Sequence, residues 1–580
     1  MRRAVLATFL CATPLLAAPA YASGDLPDRV ALREVLRHEA RASSGGVVPL
    51  PLPEGTGASG RETPSAAAAS ASRELASIAR NDGSERVLVG ARGHQDLAAL
   101  AAALRRLGAK PEAFEAIGVV AATVPSGAAL AARLGDDPRV AYIERDRKLR
   151  VAGDPFDVVD PQTGVKFTWA YDGVRAGEAL AAAGGGSRRT IAVIDTGLDL
   201  THPEFTGRVA RTFDTASGGP DVTDFVGHGT FVTGLIAAVD GNGAGGKGVA
   251  GNTRVIAVRG STDGGFTVGD LIRGMEFSVK RGADVLNLSL AGRGFTRTQA
   301  RALEGAFIND VLPVAASGNN GLSGNPLEFP AAALGGERGS RGIGLSVSAT
   351  KPDGSFGTFS THNNFVSLAA PGAGPSGCEF GVFSTLPAGA SDWDDPKLSC
   401  SKTFIHGSAR YAYGEGTSFA APIAAGIAAL AWHVEPRLAS EQVADVMVRS
   451  AHQTMGTGWN QFTGAGVVDG SAATALARTY DVSAPRVHAN ARRRGGQIAV
   501  GVRGSKDRTE RGHELAGRVS YGLLVSRDGG RDFSTVVRQR RRPFRRSIRI
   551  RGARANVVVA AVCDGNGNCG VKRLGRFSAF

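Results

Sequence analysis

Cysteine is scarce in this chain: five residues in 580, none of them in a CxxC or beside an HxxxH spacing. The usual patterns of a structural zinc site are therefore missing. Long apolar runs are missing too. After residue 22 no stretch reaches about 18 uninterrupted apolar residues, so no membrane-spanning helix is expected. Acidic residues are outnumbered, 53 Asp and Glu against 67 Lys and Arg, leaving a net charge of +14. Much of that excess falls in RQRRRPFRRSIRIRGAR, Arg538 to Arg554. No aromatic-interleaved motif accompanies it, which argues against specific nucleic-acid binding. A solvated strand face is the favoured reading, and contact with an anionic surface is the alternative.

What is abundant is apolar and small. Hydrophobic residues make up 43% and charged residues 21%, a globular balance, and the 80 glycines cluster beside apolar runs. That suits an α/β protein with many tight turns. At 580 residues, three or four units are expected. Arg2 and Arg3, the apolar stretch Ala4 to Ala18, and Ala20-Tyr21-Ala22 predict a signal peptide over 1–22 and hence a secreted, extracellular protein. Cys11 would leave with it. The remaining four, Cys378, Cys400, Cys563 and Cys569, allow three disulfide connectivities, of which the local pairing 378–400 and 563–569 is the economical one.

Composition and periodicity then divide the chain. Residues 23–84 read as a linker-rich segment, Ser-, Ala-, Gly- and Pro-rich from about Ser43 to Ser72. Residues 85–152 carry a β-α-β-α-β pattern, from RVLVGA to RVAYIERDRKLRV. Residues 153–482 alternate buried-type strands with helices. The strands are predicted at 190–195, 254–260, 283–290, 313–319, 344–350 and 365–372, and helices at Thr267–Arg281 and Thr298–Asn309. Strands without strict alternation belong to a doubly wound, mostly parallel sheet. Residues 483–580 are short, turn-rich and β-prone, and predict a small basic all-β domain.

Three segments carry chemistry: AVIDTGLD around Asp195, GHGTFVTGLIA around His228, and GTSFAAPIAAGIAAL around Ser418. Each sets one reactive side chain in a Gly-rich, apolar frame. Asp195 closes a strand, where an α/β sheet collects its active groups. His228 opens an apolar segment and can move a proton near neutral pH. Ser418 opens an apolar helix whose N–H groups suit a developing oxyanion, with Pro422 placed in the first turn. The order Asp, His, Ser resembles that of the subtilisin family.

That resemblance spans about residues 85–481 and includes TGAGVVDGSAA at 463–473. It implies a secreted serine endopeptidase of broad specificity, acting through an acyl-enzyme on Ser418. It also implies a self-processed zymogen, in which 85–152 is an inhibitor-type propeptide, with an independent α+β domain as the rival reading. The cut is expected between Arg150 and Pro155. Asn319 resembles the family's oxyanion-hole asparagine, with Asn320 as competitor. Ser289, Leu290, Ala291 and Gly292 resemble one strand that pairs with a peptide substrate, Gly265 and Phe266 the opposing strand, and Gly324 the floor of the P1 pocket. Ala291 stands where glycine is usual, and Phe231 where a second histidine is common. Glu204, Asp240 and Asn242 fall where a structural calcium loop is found in the family, an ordinary turn being the alternative. The sedolisin-type enzymes are excluded, since they use glutamate where this chain has His228. Two other functions stay in view: a binding protein on the same fold with a collapsed site, and a chain whose main role lies in its basic C-terminal domain.

Overall fold

A computed structural model describes residues 30–31, 33–34, 75–80, 83–146, 148–151, 169–240, 242, 246–374, 381–395, 403–406, 408–503, 519–527, 534–540, 543–549 and 556–577. The predicted signal peptide, the Ser43–Ser72 stretch, Cys378 and Cys400, and positions 152–155 of the expected cut lie outside them.

The first unit is a four-stranded antiparallel sheet of β1 (Glu85–Ala91), β2 (Glu112–Phe114), β3 (Val119–Val124) and β4 (Val140–Arg145), in the order β2-β3-β1-β4. Two helices, α1 (Leu97–Arg106) and α2 (Gly127–Leu134), accompany it, and their leucines join alternate strand residues such as Val87 and Val89 in a separate small core. The opposite face of the sheet, including Leu88, Val119 and Tyr142, packs on the central α/β layer. Immediately after β4 the chain forms β5 (Lys148–Val151).

The central sheet has seven strands, all parallel: β6 (Thr190–Asp195), β7 (Val209–Asp214), β8 (Arg254–Arg259), β10 (Val285–Leu288), β12 (Leu312–Ala316), β14 (Leu345–Thr350) and β15 (Leu368–Pro371). Their order is β15-β14-β12-β10-β6-β8-β7. The reversal of strand order beside β6 makes it a doubly wound α/β sheet, as the apolar, non-alternating strands predict. Edge strand β7 is absent from the sequence prediction. Its residues VARTFD are mostly half-exposed and include the charged Arg211 and Asp214, so neither apolar runs nor alternation mark it.

Helices cover both faces. On one side lie α3 (His228–Ala237) and α6 (Thr417–Val434), and on the other α4 (Val268–Lys280) and α5 (Arg297–Ile308). Helix α6 is long and apolar enough to cross a membrane, but it is buried against the sheet, α3 and its neighbours. Pro422 lies in its second turn, not its first. A proline there cannot bond the carbonyl four residues back, that of Ser418. The Ser289 hydroxyl donates to this carbonyl instead, at 2.6 Å.

The C-terminal unit is all-β. Strands Ala489–Arg494, Gln497–Val502 and Phe544–Arg549 form one antiparallel sheet. Strands Ser534–Arg540, Ser520–Ser526, Asn556–Cys563 and Cys569–Phe577 form the other. The arginine run is thus split between the two sheets, with Arg545, Arg546 and Arg549 exposed. Cys563 and Cys569 are joined by a disulfide across the last hairpin, their Cα atoms 4.0 Å apart.

Candidate active site

Asp195 is the last residue of β6, and His228 the first of α3. Asp195 Oδ1 accepts hydrogen bonds from His228 Nδ1 at 2.7 Å and from the Thr196 N–H at 2.8 Å. Both side chains are 1% exposed. Pairing one ring nitrogen with a buried carboxylate leaves the other, Nε2, as the proton acceptor. Nε2 has no hydrogen-bond partner among the described residues.

The turn carrying His228 is held by Asp224, which the sequence reading passed over. Its Oδ1 accepts from Thr196 Oγ1 (2.8 Å), Val226 N (3.2 Å) and Gly227 N (2.8 Å), and its Oδ2 from Thr230 N (2.8 Å) and Thr230 Oγ1 (2.7 Å). Thr196 Oγ1 in turn accepts the Gly229 N–H at 2.9 Å. One carboxylate thus ties the turn after β6 to the first turn of α3, so Asp195 and His228 cannot drift apart independently. Gly227 has φ +93, and a side chain there would meet the Trp393 ring at 2.7 Å. Trp393 stacks on Phe231 with centroids 4.8 Å apart, and Phe419 lies 5.5 Å from the His228 ring. An apolar wall of Phe231, Trp393 and Phe419 thus lies beside His228.

Ser418 is the second residue of α6 and fully buried. Its backbone N–H belongs to the first helical turn, where no intrahelical acceptor exists. Its Oγ donates to the Ser289 carbonyl at 3.3 Å. Asn319 and Asn320, the two amide candidates, differ sharply. Asn319 Oδ1 accepts from Thr417 N (2.9 Å) and Thr417 Oγ1 (2.8 Å), which fixes the amide beside the start of α6. Its Nδ2 is buried and has no hydrogen-bond partner among the described residues. Asn320 Nδ2 is already spent on Glu328 Oε1 at 2.8 Å.

Strand β5 lies between β9 (Gly265–Thr267) and β11 (Leu290–Arg293). It pairs antiparallel with both: Arg150 opposite Gly265, Leu149 opposite Phe266, Val151 opposite Leu290, and Arg150 opposite Ala291. Gly292 pairs instead with Phe329 of β13 (Glu328–Phe329) on the far side of β11. Ser289 faces Ser418. Gly324 sits in an exposed turn at φ +84 with open space where a Cβ would be.

Next to β5, the preceding unit caps two catalytic-region helices. Glu144 accepts from Arg297 N (3.1 Å) and Thr298 N (3.0 Å) at the start of α5, and Asp146 from Gly269 N (2.6 Å) at the start of α4. Carboxylates at helix N-termini satisfy orphan N–H groups and the positive dipole end.

The side chains expected to hold calcium are differently engaged. Glu204 is buried and accepts from Asn242 Nδ2 (2.9 Å), Tyr411 Oη (2.8 Å) and the Gly246 N–H. Burial, then the bond and charge of Glu204, push the Tyr411 hydroxyl far up, so it stays a donor. Asp240 pairs with the Lys247 ammonium at 3.1 Å. Hydrogen-bond donors and an ammonium thus engage these carboxylates, and residues 241 and 243–245 of the same loop lie outside the described residues. Among the described residues no three His, Cys, Asp or Glu converge as a metal site.

A parallel sheet with a buried Asp–His pair at a strand end and a serine in the first turn of a core helix defines an α/β serine hydrolase. The comparisons narrow the class. Residues 186–466 match the model of the Subtilase family. A thermophilic serine proteinase of Bacillus sp. (strain AK1) is 32% identical over 54% of this chain and 69% of its own length. Alkaline elastase YaB of Bacillus sp. (strain YaB) is 31% identical over 58% and 75%. Fervidolysin from Fervidobacterium pennivorans, a keratinolytic enzyme related to subtilisin, matches in crystal structure with a TM-score of 0.55. That match covers 92% of this chain and 95% of that one at 17% identity, which shows a shared fold. The chain belongs to the subtilase family and is a subtilisin-type serine peptidase.

Proposed function

We propose that this chain is an exported endopeptidase, made as a zymogen, whose triad is Asp195, His228 and Ser418. The observation that carries the reading is the buried His228–Asp195 bond, which leaves Nε2 free in the site that holds Ser418. In the reaction, Ser418 Oγ leaves the Ser289 carbonyl and attacks the scissile carbonyl as His228 Nε2 takes its proton. Asp195 holds the tautomer and stabilises the imidazolium. The oxyanion receives hydrogen bonds from the Ser418 N–H and Asn319 Nδ2, the amide donor left unspent in the ground state. The amine then leaves with the proton from His228, and a water reverses the sequence to free the serine.

Strand β5 supports the zymogen reading. It occupies the place an extended peptide would take between β9 and β11, so residues up to about Val151 act as an intramolecular inhibitor until the chain is cut just beyond. Leu290, Ala291, Gly265 and Phe266 then pair with substrate, and Ser289 positions the nucleophile. Export rests on the leader-like residues 1–22.

Comparison of wild type with Ser418→Ala, by intact mass and casein hydrolysis in parallel, tests this. Wild type sheds the prosegment and digests casein, and the variant does neither. Equal masses and no hydrolysis from folded samples would instead favour a binding protein on this fold.

A further inference from the structure

A buried arginine far upstream of β5 has no part in this chemistry. Residues 30, 31, 33 and 34 are helical, and Val30 and Ala31 join the apolar cluster that links the catalytic region to the C-terminal unit. Arg33 is 1% exposed. Its Nη2 donates to Glu441 Oε1 at 2.8 Å and its Nη1 to Glu441 Oε2, the two-pronged arrangement in which a guanidinium binds a carboxylate most strongly. Nη1 also reaches Asp310 Oδ1 at 3.4 Å, and Nε pairs with Glu34 at 3.1 Å. The guanidinium carbon lies 5.1 Å from the centre of the Phe307 ring.

The pocket has a third wall. Glu441 is fully buried near the start of α7 (Ser440–Ser450). The next residue, Gln442, donates to Asn566 O (3.1 Å) and Asn568 Oδ1 (2.6 Å) in the turn closed by the Cys563–Cys569 disulfide. A Cβ built on Gly567 of that turn would stand 3.6 Å from Glu441 Oε1 and 4.0 Å from Val30 Cγ1. A carboxylate as deeply buried as Glu441 is costly without positive charge beside it: Arg33 bonds it directly, and Arg341, whose Nη1 stands 3.5 Å from the same Cβ position on Gly567, adds to that charge.

We propose that Glu441, Asp310 and Phe307, closed by the 564–568 turn, form a guanidinium-binding site for Arg33. This site is a second anchor that holds the prosegment on the enzyme after the chain is cut near Val151. The proposal rests on the zymogen reading above. Cutting beyond β5 frees one end only. The prosegment stays attached through the cleft contacts of β5, Glu144 and Asp146 and, independently, through Arg33. While either anchor holds, the other is kept at high effective concentration and re-forms.

The test uses full-length Ser418→Ala protein with a recognition sequence for a site-specific protease placed at positions 153–160, so that cutting does not depend on self-processing. After cutting, loss of the N-terminal fragment is followed by native mass spectrometry. Arg33→Ala speeds its dissociation by roughly 30-fold or more, the range for truncating one partner of a buried charged pair. Arg33→Lys keeps the charge, loses the two-pronged contact and gives an intermediate rate. Equal rates for Arg33 and either folded variant would overturn the proposal, and where Arg33→Ala does not fold, Arg33→Lys decides alone. Failure of the zymogen reading shows separately, as wild-type protein that stays uncut when incubated alongside.

Discussion

Asn319 and Asp224 use similar side chains for opposite purposes. Asn319 spends its oxygen on Thr417 and keeps its N–H₂ in reserve, whereas Asp224 spends both oxygens on five donors. Asn319→Ala should therefore act on the transition state, lowering kcat by about 10²–10³ with little change in KM. That is the loss known for removing one such donor in subtilisin itself. Steady-state kinetics on a chromogenic peptide decides it, and a loss below tenfold removes Asn319 from the oxyanion hole. Asp224→Asn should act on the ground state, because an amide N–H₂ must face N–H and O–H donors. We expect a loss of about 2–3 kcal/mol in stability, with kcat falling as the His228 turn loosens. Unchanged thermal unfolding would refute this. Asp195, His228 and Ser418 stand out in the sequence because each closes or opens a Gly-rich, mostly apolar run. Asp224 was not legible, because its meaning lies in donors scattered from Thr196 to Thr230.

Elements buried on both faces were legible as apolar runs, and so were α4 and α5, which begin at threonine caps, Thr267 with Asp270 and Thr296 with Gln299. Edge strand β7 was invisible for the opposite reason: what holds it is a pairing in space. Asp214 at its end sits opposite Arg259 at the end of β8 and bonds it at 3.0 Å. Burial pushes the Asp214 carboxyl up, but hydrogen bonds from Arg259 and Ser217 outweigh it and hold the pKa down at about 2. A depressed carboxylate stabilises the fold fully above its unfolded value near 3.8, and that contribution is lost as pH falls toward 2. Asp214→Asn should therefore cost about 1–2 kcal/mol at pH 7, with the gap to wild type closing between pH 4 and pH 2. Denaturant titrations across that range check it, and a gap that persists at pH 2 would assign the loss to packing. In the proposed prosegment, Glu144→Ala removes the acceptor for two N–H groups of α5. Inhibition by the added prosegment should weaken roughly fivefold, the equivalent of about 1 kcal/mol for a helix cap.

At the scale of the whole molecule, the C-terminal unit is built into the enzyme. Strand Asn556–Cys563 is buried along its whole length because its two faces serve different cores. Val558, Ala560 and Val562 pack inside the β-sandwich, while Val557, Val559, Ala561 and Cys563 join the cluster that contains Phe307, Ile308 and Leu334 of the catalytic region. The run NVVVAAVC reads in sequence as a strand, but only the assembled chain explains why it does not alternate. Beside it, the 564–568 turn carries the Asn566 and Asn568 contacts to Gln442, and Asn568 Nδ2 donates to Asp481 O at 2.8 Å. A dispensable attachment domain would not share an apolar core with the catalytic unit. A chain ending at residue 482 would expose that face as a contiguous apolar patch, which favours association. Expressed alone, it should aggregate or unfold several degrees below the full chain in a matched Ser418→Ala background, which removes self-digestion as the cause. Size-exclusion chromatography and thermal unfolding read both effects. A monodisperse fragment with an unchanged Tm would mean that the sandwich merely rests on the enzyme, and its basic sheet would then be the place to look for its purpose.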